Sequence, residues 1–370
     1  MMIKPLNILG LMSGTSLDGV KVALVSTDGI DIYETFLSRR YGFDEKLRAQ
    51  IRSVLGKKIS IEKEKNLIDE VEKDITEFLG NIINEIKTQT ELQIDAIGLE
   101  GPTICNEPYN RYTYQLGKGK ILAKKTGIDV ITHFHNADIL NGGLGSPIGA
   151  TYYNALAQNL GKPIVFINIG GITNITWIGP IGEMISFDCG PGNALIDDWV
   201  SKHGGVLMDY NGKFAATGKV NQKIVSTLLK HDFFAKYPPK TLDRNEFNNK
   251  IEHLEGLSLE DGAATVTEFI AQAISYSLAF YLPEVPTQAV ICGGGVKNPT
   301  LLRFVRNNLK SMNISILSEA ELDVQIDDAA AIAFLTARRI YSLPITFPTT
   351  TGINTAMTGG EIYKKEIEHE

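Results

Sequence analysis

The feature that most constrains the fold is a strand, a glycine-rich turn and a second strand, found once in each half of the chain. An apolar run at 7–12 precedes the turn 13–19, and residues 20–25 alternate back into a strand. The run 163–169, the turn 170–174 and the strand 175–178 repeat the pattern. Helical periodicity over 44–89 and short buried strands at 95–99 and 289–292 alternate with these. Strands alternating with helices predict an α/β protein.

The length and composition narrow the class of protein. At 370 residues the chain exceeds one ordinary core, so two domains are expected. A formal charge of −7 argues against nonspecific binding to nucleic acid or to a membrane surface. The chain has 3 cysteines and no CxxC, which predicts neither a disulfide framework nor a zinc finger. No apolar run reaches the ~18 residues of a membrane span, and the start is typical of a buried strand. We therefore expect a cytoplasmic protein.

Four glycine-rich segments each follow a predicted strand, at 14–19, 170–174, 188–193 and 293–295. Glycine lets the backbone approach a ligand and turn its N–H groups inward, as a polyphosphate requires. The third segment also opens a helix, whose N-terminus favours an anion. Any one segment alone is typical of an ordinary connection, but four together favour phosphate binding. The chain contains neither GxxxxGK[ST] nor a GxGxxG between strand and helix, so the Walker and dinucleotide classes are disfavoured.

The first turn carries a family resemblance. Met12-Ser13-Gly14-Thr15-Ser16-Leu17-Asp18-Gly19 resembles the signature of the anhydro-N-acetylmuramic acid kinases, a family of actin/hexokinase-like ATPases. The resemblance runs from about residue 8 to about residue 360. It includes Asn168-Ile169-Gly170-Gly171-Ile172-x-Asn174, Phe187-Asp188-x-Gly190-Pro191-Gly192-Asn193, Pro238-Pro239-Lys240 and Cys292-Gly293-Gly294-Gly295-x-x-Asn298-Pro299.

The resemblance implies a fold and a reaction. It implies two actin-like (ribonuclease H-like) domains with an ATP cleft between them, which we place at 1–130 plus 345–370 and at 131–344. It also implies ATP and Mg²⁺, a small sugar substrate and no nucleic-acid or membrane partner, and it is compatible with a homodimer. The family cleaves the anhydro bridge of its sugar with water while phosphorylating the oxygen that is freed. Levoglucosan kinases are relatives with a different sugar.

The matching positions imply roles for individual residues. Asp188 would be the catalytic base, although an aspartate there could also simply cap its turn. Asp18 would hold Mg²⁺ through water or brace its own turn. The residues implied to bind ATP are Ser13, Gly14, Thr15, Ser16, Asp18, Gly170, Gly171, Asn174, Gly190, Gly293, Gly294, Gly295 and Asn298. Those implied to bind the sugar are Glu100, His135, Gly145 and Asn193.

Departures from the family pattern cluster on the sugar side. The segment Leu99-Glu100-Gly101-Pro102-Thr103 lies where the family usually has Ser-His-Gly-Gln-Thr. His133-Phe134-His135 replaces Asp-Phe-Arg, and Ala330 replaces a glutamate. The sugar pocket is therefore expected to be altered, since its hydrogen-bonding groups decide which substrate is accepted. The alternative is a noncatalytic nucleotide-binding relative that has lost its sugar site. His133, His135 and Asp138 could also suggest zinc, but no third histidine or cysteine has suitable local spacing.

Overall fold

A computed structural model describes residues 3–14, 17–244, 246–247, 252–317 and 326–366. The chain divides into two compact units, Met1–Ala155 with Ile326–Glu370, and Leu156–Gln325. We call them the first and the second unit. The bounds differ from the expected division at 130/131 and 344/345. The difference arises because the strand at 130–132 pairs within the first sheet, and the helix that begins at Asp328 packs on that sheet.

The first unit contains a main sheet, a separate two-stranded sheet formed by its fifth and sixth strands, and several helices. Its strands are β1 Leu6–Met12, β2 Gly19–Thr27, β3 Ile32–Gly42, β4 Ala96–Glu100, β5 Thr103–Glu107, β6 Tyr112–Gln115, β7 Val130–Thr132 and β13 Glu361–Tyr363. Its helices are α1 Glu45–Val54, α2 Glu62–Gln89, α3 Gly119–Thr126, α4 Asn136–Leu140, α5 Ala150–Leu156 and α11 Asp328–Ile340.

The second unit is built in the same way. Its strands are β8 Ile164–Ile169, β9 Ile172–Ile178, β10 Met184–Pro191, β11 Gln288–Cys292 and β12 Ser315–Leu317. Its helices are α6 Asn193–Gly204, α7 Lys213–Thr217, α8 Gln222–Leu228, α9 Leu259–Phe280 and α10 Pro299–Ser311. Of the described helices, none is both long enough and apolar enough to cross a membrane.

The two sheets share one strand order. In the first unit it is β3-β2-β1-β4-β7, with β13 added at the edge, and in the second it is β10-β9-β8-β11-β12. The parallel strands are β1, β4 and β7 in the first sheet and β8, β11 and β12 in the second. Each sheet continues into two antiparallel strands, β2 and β3 in the first and β9 and β10 in the second. The strand–turn–strand prediction is thus confirmed as β1–β2 and β8–β9. The predicted α/β class is confirmed as well.

Two predicted turns were too long. The second turn ends at Gly171, because Ile172 already pairs with β10, and residue 174 lies inside β9. The segment 188–191 is the end of β10 rather than a loop, with a register shift between Asp188 and Gly190. The shift corresponds to a β-bulge, which redirects a side chain without ending the strand.

Helix α11 shows how the sequence fixes close packing in the first unit. Asp327 caps the helix, since its side chain accepts a hydrogen bond from Ala329 N at 2.8 Å. The helix lies directly on β1, where a Cβ added to Gly10 would come within 2.0 Å of the Ala329 carbonyl oxygen. Only glycine fits this contact, so the helix and the strand that precedes the first turn are held in fixed register.

Candidate active site

The carboxyl ends of β1, β4 and β7 bring several predicted residues to one edge of the first sheet. Ser13 follows β1, Glu100 ends β4 and His135 follows β7 by three residues. The Ser13 amide donates to the Glu100 carbonyl at 2.9 Å, and its hydroxyl donates to the Gly19 carbonyl at 3.1 Å. The first turn is therefore tied to its neighbour strand. This edge of a parallel sheet is where α/β proteins bind ligands.

Gly14 lies on the open side of this turn. A Cβ added there would meet no described atom within 4 Å, and this space would admit a ligand. Thr15 and Ser16, also predicted to bind ATP, lie outside the described residues. Asp18 is half-exposed, and its Oδ2 accepts from Arg40 at 2.9 Å. The Asp18 carboxylate is therefore already paired on one oxygen.

Glu100, which is buried, and His135, which is partly buried, form an ion pair. His135 donates through Nε2 to Glu100 Oε1 at 2.8 Å and through Nδ1 to the Gly145 carbonyl. Burial alone would lower the pKa of His135, but the Glu100 carboxylate and the Gly145 carbonyl raise it to about 9. The ring therefore carries a charge at neutral pH. Glu100 is only 4% exposed, and among the described residues its Oε2 has no hydrogen-bond partner.

Asp138 fixes the loop that supplies the Gly145 carbonyl. Its Oδ1 accepts from the Gly145 amide at 2.7 Å, and its Oδ2 accepts from the Thr351 hydroxyl at 2.6 Å. Asp138 thus braces the partner of His135 and is not available as a metal ligand. His133 lies edge-on to Tyr363, with ring centroids 6.4 Å apart. Within the described residues no group of three or more His, Cys, Asp or Glu side chains could hold a metal ion.

In the second unit, the start of α6 joins two of the glycine segments. The Asn193 amide donates to the Gly170 carbonyl at 2.8 Å, and the Gly192 amide donates to the Gly171 carbonyl at 3.0 Å. The Asn193 side chain donates through Nδ2 to the carbonyls of Ile169 and Gly170, at 3.2 and 3.1 Å. The side-chain amide of Asn193, a residue predicted to bind the sugar, therefore helps to hold this junction together.

The Gly293 segment lies beside the same junction. Gly293 has φ +83°, and a Cβ there would lie 2.3 Å from Asn168 Oδ1, so the position requires glycine. A Cβ on Gly294 would lie 3.7 Å from Asn193 Nδ2, and one on Gly295 would meet Ile169 at 2.6 Å. The structure thus brings the predicted glycines 170, 171, 293 and 294 together.

Three residues predicted to bind ATP have structural neighbours in the second unit, and their role in binding stays a prediction. Asn298 caps α10, since its Oδ1 accepts from Leu301 N at 3.0 Å, as its position before Pro299 predicts. Gly190 faces α9, where an added Cβ would lie 3.0 Å from the Ala273 Cβ. Asn174 lies in β9 opposite Asp188 in the strand register. Of these three, Asn174 is thus the one directly beside the predicted catalytic residue.

Asp188 is a buried carboxylate near the end of β10, 5% exposed. The Thr241 hydroxyl and the Leu242 amide each donate to its Oδ2 at 2.8 Å. Among the described residues no hydrogen bond reaches Oδ1. Burial raises the pKa of Asp188 to about 6, against the opposing effects of these two donors and of the Lys240 charge. A carboxylate with one oxygen fixed by two donors, no described donor on the other oxygen and a pKa near neutrality is suited to accept a proton.

The segment that holds Asp188 had no predicted role. Thr241 and Leu242 are 53 and 54 residues away along the chain, and no periodicity links them to β10. The signal available was Pro238-Pro239-Lys240, a matching segment to which no function was attached. Asp138 was likewise weighed only as a metal ligand, although its contacts brace Gly145.

Comparison with known proteins identifies the family. Residues 6–365 match the family model described as anhydro-N-acetylmuramic acid kinase. The protein of that name from Rhodospirillum rubrum is 36% identical over 353 residues, which are 95% of this chain and 92% of that protein. The one from Rhodopseudomonas palustris (strain HaA2) is 38% identical over 360 residues, 95% of this chain and 97% of that protein.

A solved structure was also similar in fold. It is the activator of the 2-hydroxyisocaproyl-CoA dehydratase from Clostridium difficile with bound ADPNP, with a TM-score of 0.40 and 14% identity over 91% of this chain and 97% of that chain. The fold and the family model define a kinase of the phosphotransferase class. The chain belongs to the anhydro-N-acetylmuramic acid kinase family, as its first turn predicted.

Proposed function

We propose that this chain is an ATP-dependent kinase that opens the anhydro bridge of a sugar with water and phosphorylates the oxygen so released. The observation that carries the proposal is the state of Asp188. Its burial, its two donors on Oδ2 and its raised pKa give a carboxylate that is ionised at pH 7 and can take up a proton. Membership of the family supports the reaction, and the geometry supports the residue.

The proposed reaction balances around one water molecule. The water oxygen bonds to the anomeric carbon while the bond between that carbon and the bridging oxygen breaks. The bridging oxygen then bonds to the γ-phosphorus of ATP, and ADP leaves. Asp188 accepts the proton of the water through Oδ1 and later returns it to solvent. Phosphoryl transfer needs mainly positioning and charge neutralisation, so no further side-chain nucleophile is required.

We assign the phosphates of ATP to the glycine segments. The space beside Gly14 and the meeting of Gly171 with Gly294 support this, since backbone N–H groups can approach an anion there. The Gly170 N–H already donates to the Ile172 carbonyl at 3.0 Å. Mg²⁺ would neutralise phosphate charge. Asp18 fits it only as a single carboxylate acting through water, because its Oδ2 is paired with Arg40. One carboxylate suits Mg²⁺, which keeps several waters and binds largely through substrate phosphates.

We assign recognition of the sugar to Glu100 and His135. The unpartnered Oε2 of Glu100 is buried, and a buried acceptor without a donor is costly unless a ligand supplies one. A sugar hydroxyl is such a donor. Because the Glu100 carboxylate is balanced by the His135 charge, the pair suits an uncharged hydroxyl.

A cytoplasmic location is supported by the three buried cysteines, which form no disulfide.

The test is sugar-dependent turnover of ATP by the purified full chain. A panel of anhydro-sugars and their open forms is incubated with ATP and Mg²⁺ in ¹⁸O-labelled water. We expect one anhydro-sugar to gain both a phosphate and one ¹⁸O at the anomeric hydroxyl, with the open sugars inactive. Tight ATP binding without turnover on any sugar would reject the proposal in favour of the noncatalytic alternative. Phosphorylation without ¹⁸O would reject the hydrolytic step alone.

A further inference from the structure

Lys240 is a buried lysine whose ammonium lies among aromatic rings. The residue is 4% exposed. Its Nζ lies 3.9 Å from the centroid of the Tyr281 ring and 4.4 Å from that of Phe233. Phe187 and Phe234 lie further out, at 5.8 and 6.0 Å. We call these four rings the aromatic cage.

The cage, rather than an acid, holds the charge. Lys240 Nζ donates to the Phe233 carbonyl at 3.2 Å, and in the described part of the chain no carboxylate lies within 4.0 Å of it. Ring faces attract a cation most strongly when it is desolvated. Burial lowers the pKa of Lys240 to about 8, so the cage still holds a mainly protonated amine at neutral pH. An apolar side chain would fill this space without the cost of burying a charge.

The backbone around this lysine holds Asp188. The Lys240 carbonyl accepts from the Asp188 amide at 3.1 Å, and the next two residues, Thr241 and Leu242, donate to Asp188 Oδ2. Within β10, Phe187 is the neighbour of Asp188 and forms one wall of the cage. The lysine side chain and its backbone therefore contact two adjacent residues of β10.

We propose that Lys240 is a positioning residue for Asp188. Its caged ammonium anchors the segment 240–242 that fixes Asp188 Oδ2, and it keeps a positive charge close to the carboxylate, which favours the ionised form. The role of Asp188 as a base rests on the proposed function above. The effect of Lys240 on the carboxylate does not, and it can be measured without a substrate.

The other titratable groups that face Lys240 do not reproduce the effect of its charge on the Asp188 carboxylate. Burial raises the pKa of Cys189 and of Tyr281 far above their ordinary values, so both stay neutral between pH 5 and 9. Lys236 also affects the Lys240 charge, but it is exposed. Tyr237 and Tyr276 contact the Tyr281 ring and complete the surroundings. In this set Asp188 and Lys240 are thus the two groups that gain or lose a proton near neutrality.

The test is a carboxyl ¹³C NMR titration of the full chain, with the Asp188 signal assigned from its loss in Asp188→Asn. We expect a main transition near pH 6 and a smaller response near pH 8 when Lys240 loses its proton. In Lys240→Met the second response should vanish and the main transition should rise by about one unit. Lys236→Met removes an exposed charge that lowers the pKa of Lys240, so it should leave the main transition unchanged and move only the second response upward. An unchanged Asp188 titration in Lys240→Met would overturn the proposal.

Two further measurements test the effect of Lys240 on Asp188. If Lys240→Met does not fold, a single Asp188 transition in the unaltered chain, with no response near pH 8, would overturn it. If a sugar substrate is found, Lys240→Met should lower kcat by about 10- to 100-fold, with KM for ATP unchanged, since a misplaced base slows chemistry rather than nucleotide binding. The acidic limb of its pH profile should move up with the NMR transition. A titration as expected in a chain that phosphorylates no sugar would reject the proposed function alone.

Discussion

Replacing Asp188 by asparagine should separate catalysis from folding. The amide oxygen can still accept from Thr241 and Leu242, so the local geometry is retained. It cannot accept a proton, however, and loss of a general base slows a reaction by ~10²–10⁴-fold, or about 3 to 5 kcal/mol of barrier. ATP affinity should change little, because the proposed phosphate contacts are backbone N–H groups.

The same change should stabilise the fold at neutral pH. Burial raises the pKa of Asp188 from 3.8 to about 6, so the folded chain favours the protonated form. The stability that protonation contributes is fully present below pH 3.8 and is lost as pH rises through 6. A shift of about two units corresponds to about 3 kcal/mol, an upper limit for the gain from a neutral amide. Asp188→Asn should thus exceed the unaltered chain in stability at pH 8 and match it near pH 4.

Urea unfolding at pH 8 and pH 4 measures the free energies, and ADP release with the accepted sugar measures turnover. Asp198→Asn is the matched control, since Asp198 is partly exposed and pairs only with Arg244 among the described residues. It should keep both activity and stability within about 0.5 kcal/mol. Near-normal turnover in Asp188→Asn would refute its role as the base. A loss of stability at pH 8 larger than at pH 4 would refute the assigned burial cost.

Three further changes test other parts of the site. Gly14→Ala should leave Tm unchanged, because its Cβ meets no described atom, but it should weaken ATP binding measured by calorimetry. Unchanged ATP binding would place the phosphates elsewhere. Glu100→Gln should lower the pKa of His135 from about 9 toward 6.5 in a ring ¹H NMR titration and raise KM for the sugar, with KM for ATP unchanged; an unshifted ring would contradict the ion pair. Asp327→Ala should cost about 1 to 2 kcal/mol in urea unfolding, since Ala329 N loses its cap and the Ser38 hydroxyl loses its acceptor; a neutral result would contradict the cap.

Local patterns predicted much of the fold. The strand pairs β1–β2 and β8–β9 follow from apolar runs around glycine turns, and Asn298-Pro299 marks the start of α10. The antiparallel strand β3 was not predicted, because its sequence from Ile32 to Gly42 is mostly exposed and lacks strict alternation. The domain bounds differed because α11 returns to the first sheet, a contact between positions more than 300 residues apart.

The site divides along the same lines. Glycine positions and Asp188 are visible in the sequence because each lies at the end of a predicted strand. Their partners are not, since Thr241 and Asp138 act through contacts that only tertiary folding creates. The pairing of Glu100 with His135 illustrates the limit. Both positions were singled out as departures from the family pattern, but only the distance between their side chains shows that they form a pair.

The energetics of Asp188 bear on the choice between an enzyme and a noncatalytic relative. A buried carboxylate held ionised at pH 7 costs folding free energy, and so does a buried ammonium such as that of Lys240. Neither charge is needed to hold a nucleotide by backbone N–H groups. A chain that only bound ATP would gain stability by replacing either one, whereas a base must remain a carboxylate and must ionise near neutral pH. If Asp188→Asn is more stable than the unaltered chain at pH 8 and also inactive, the ionised carboxylate costs folding free energy and is required for turnover, which favours the enzyme. If it is more stable and the unaltered chain itself turns over no sugar, the noncatalytic alternative stands.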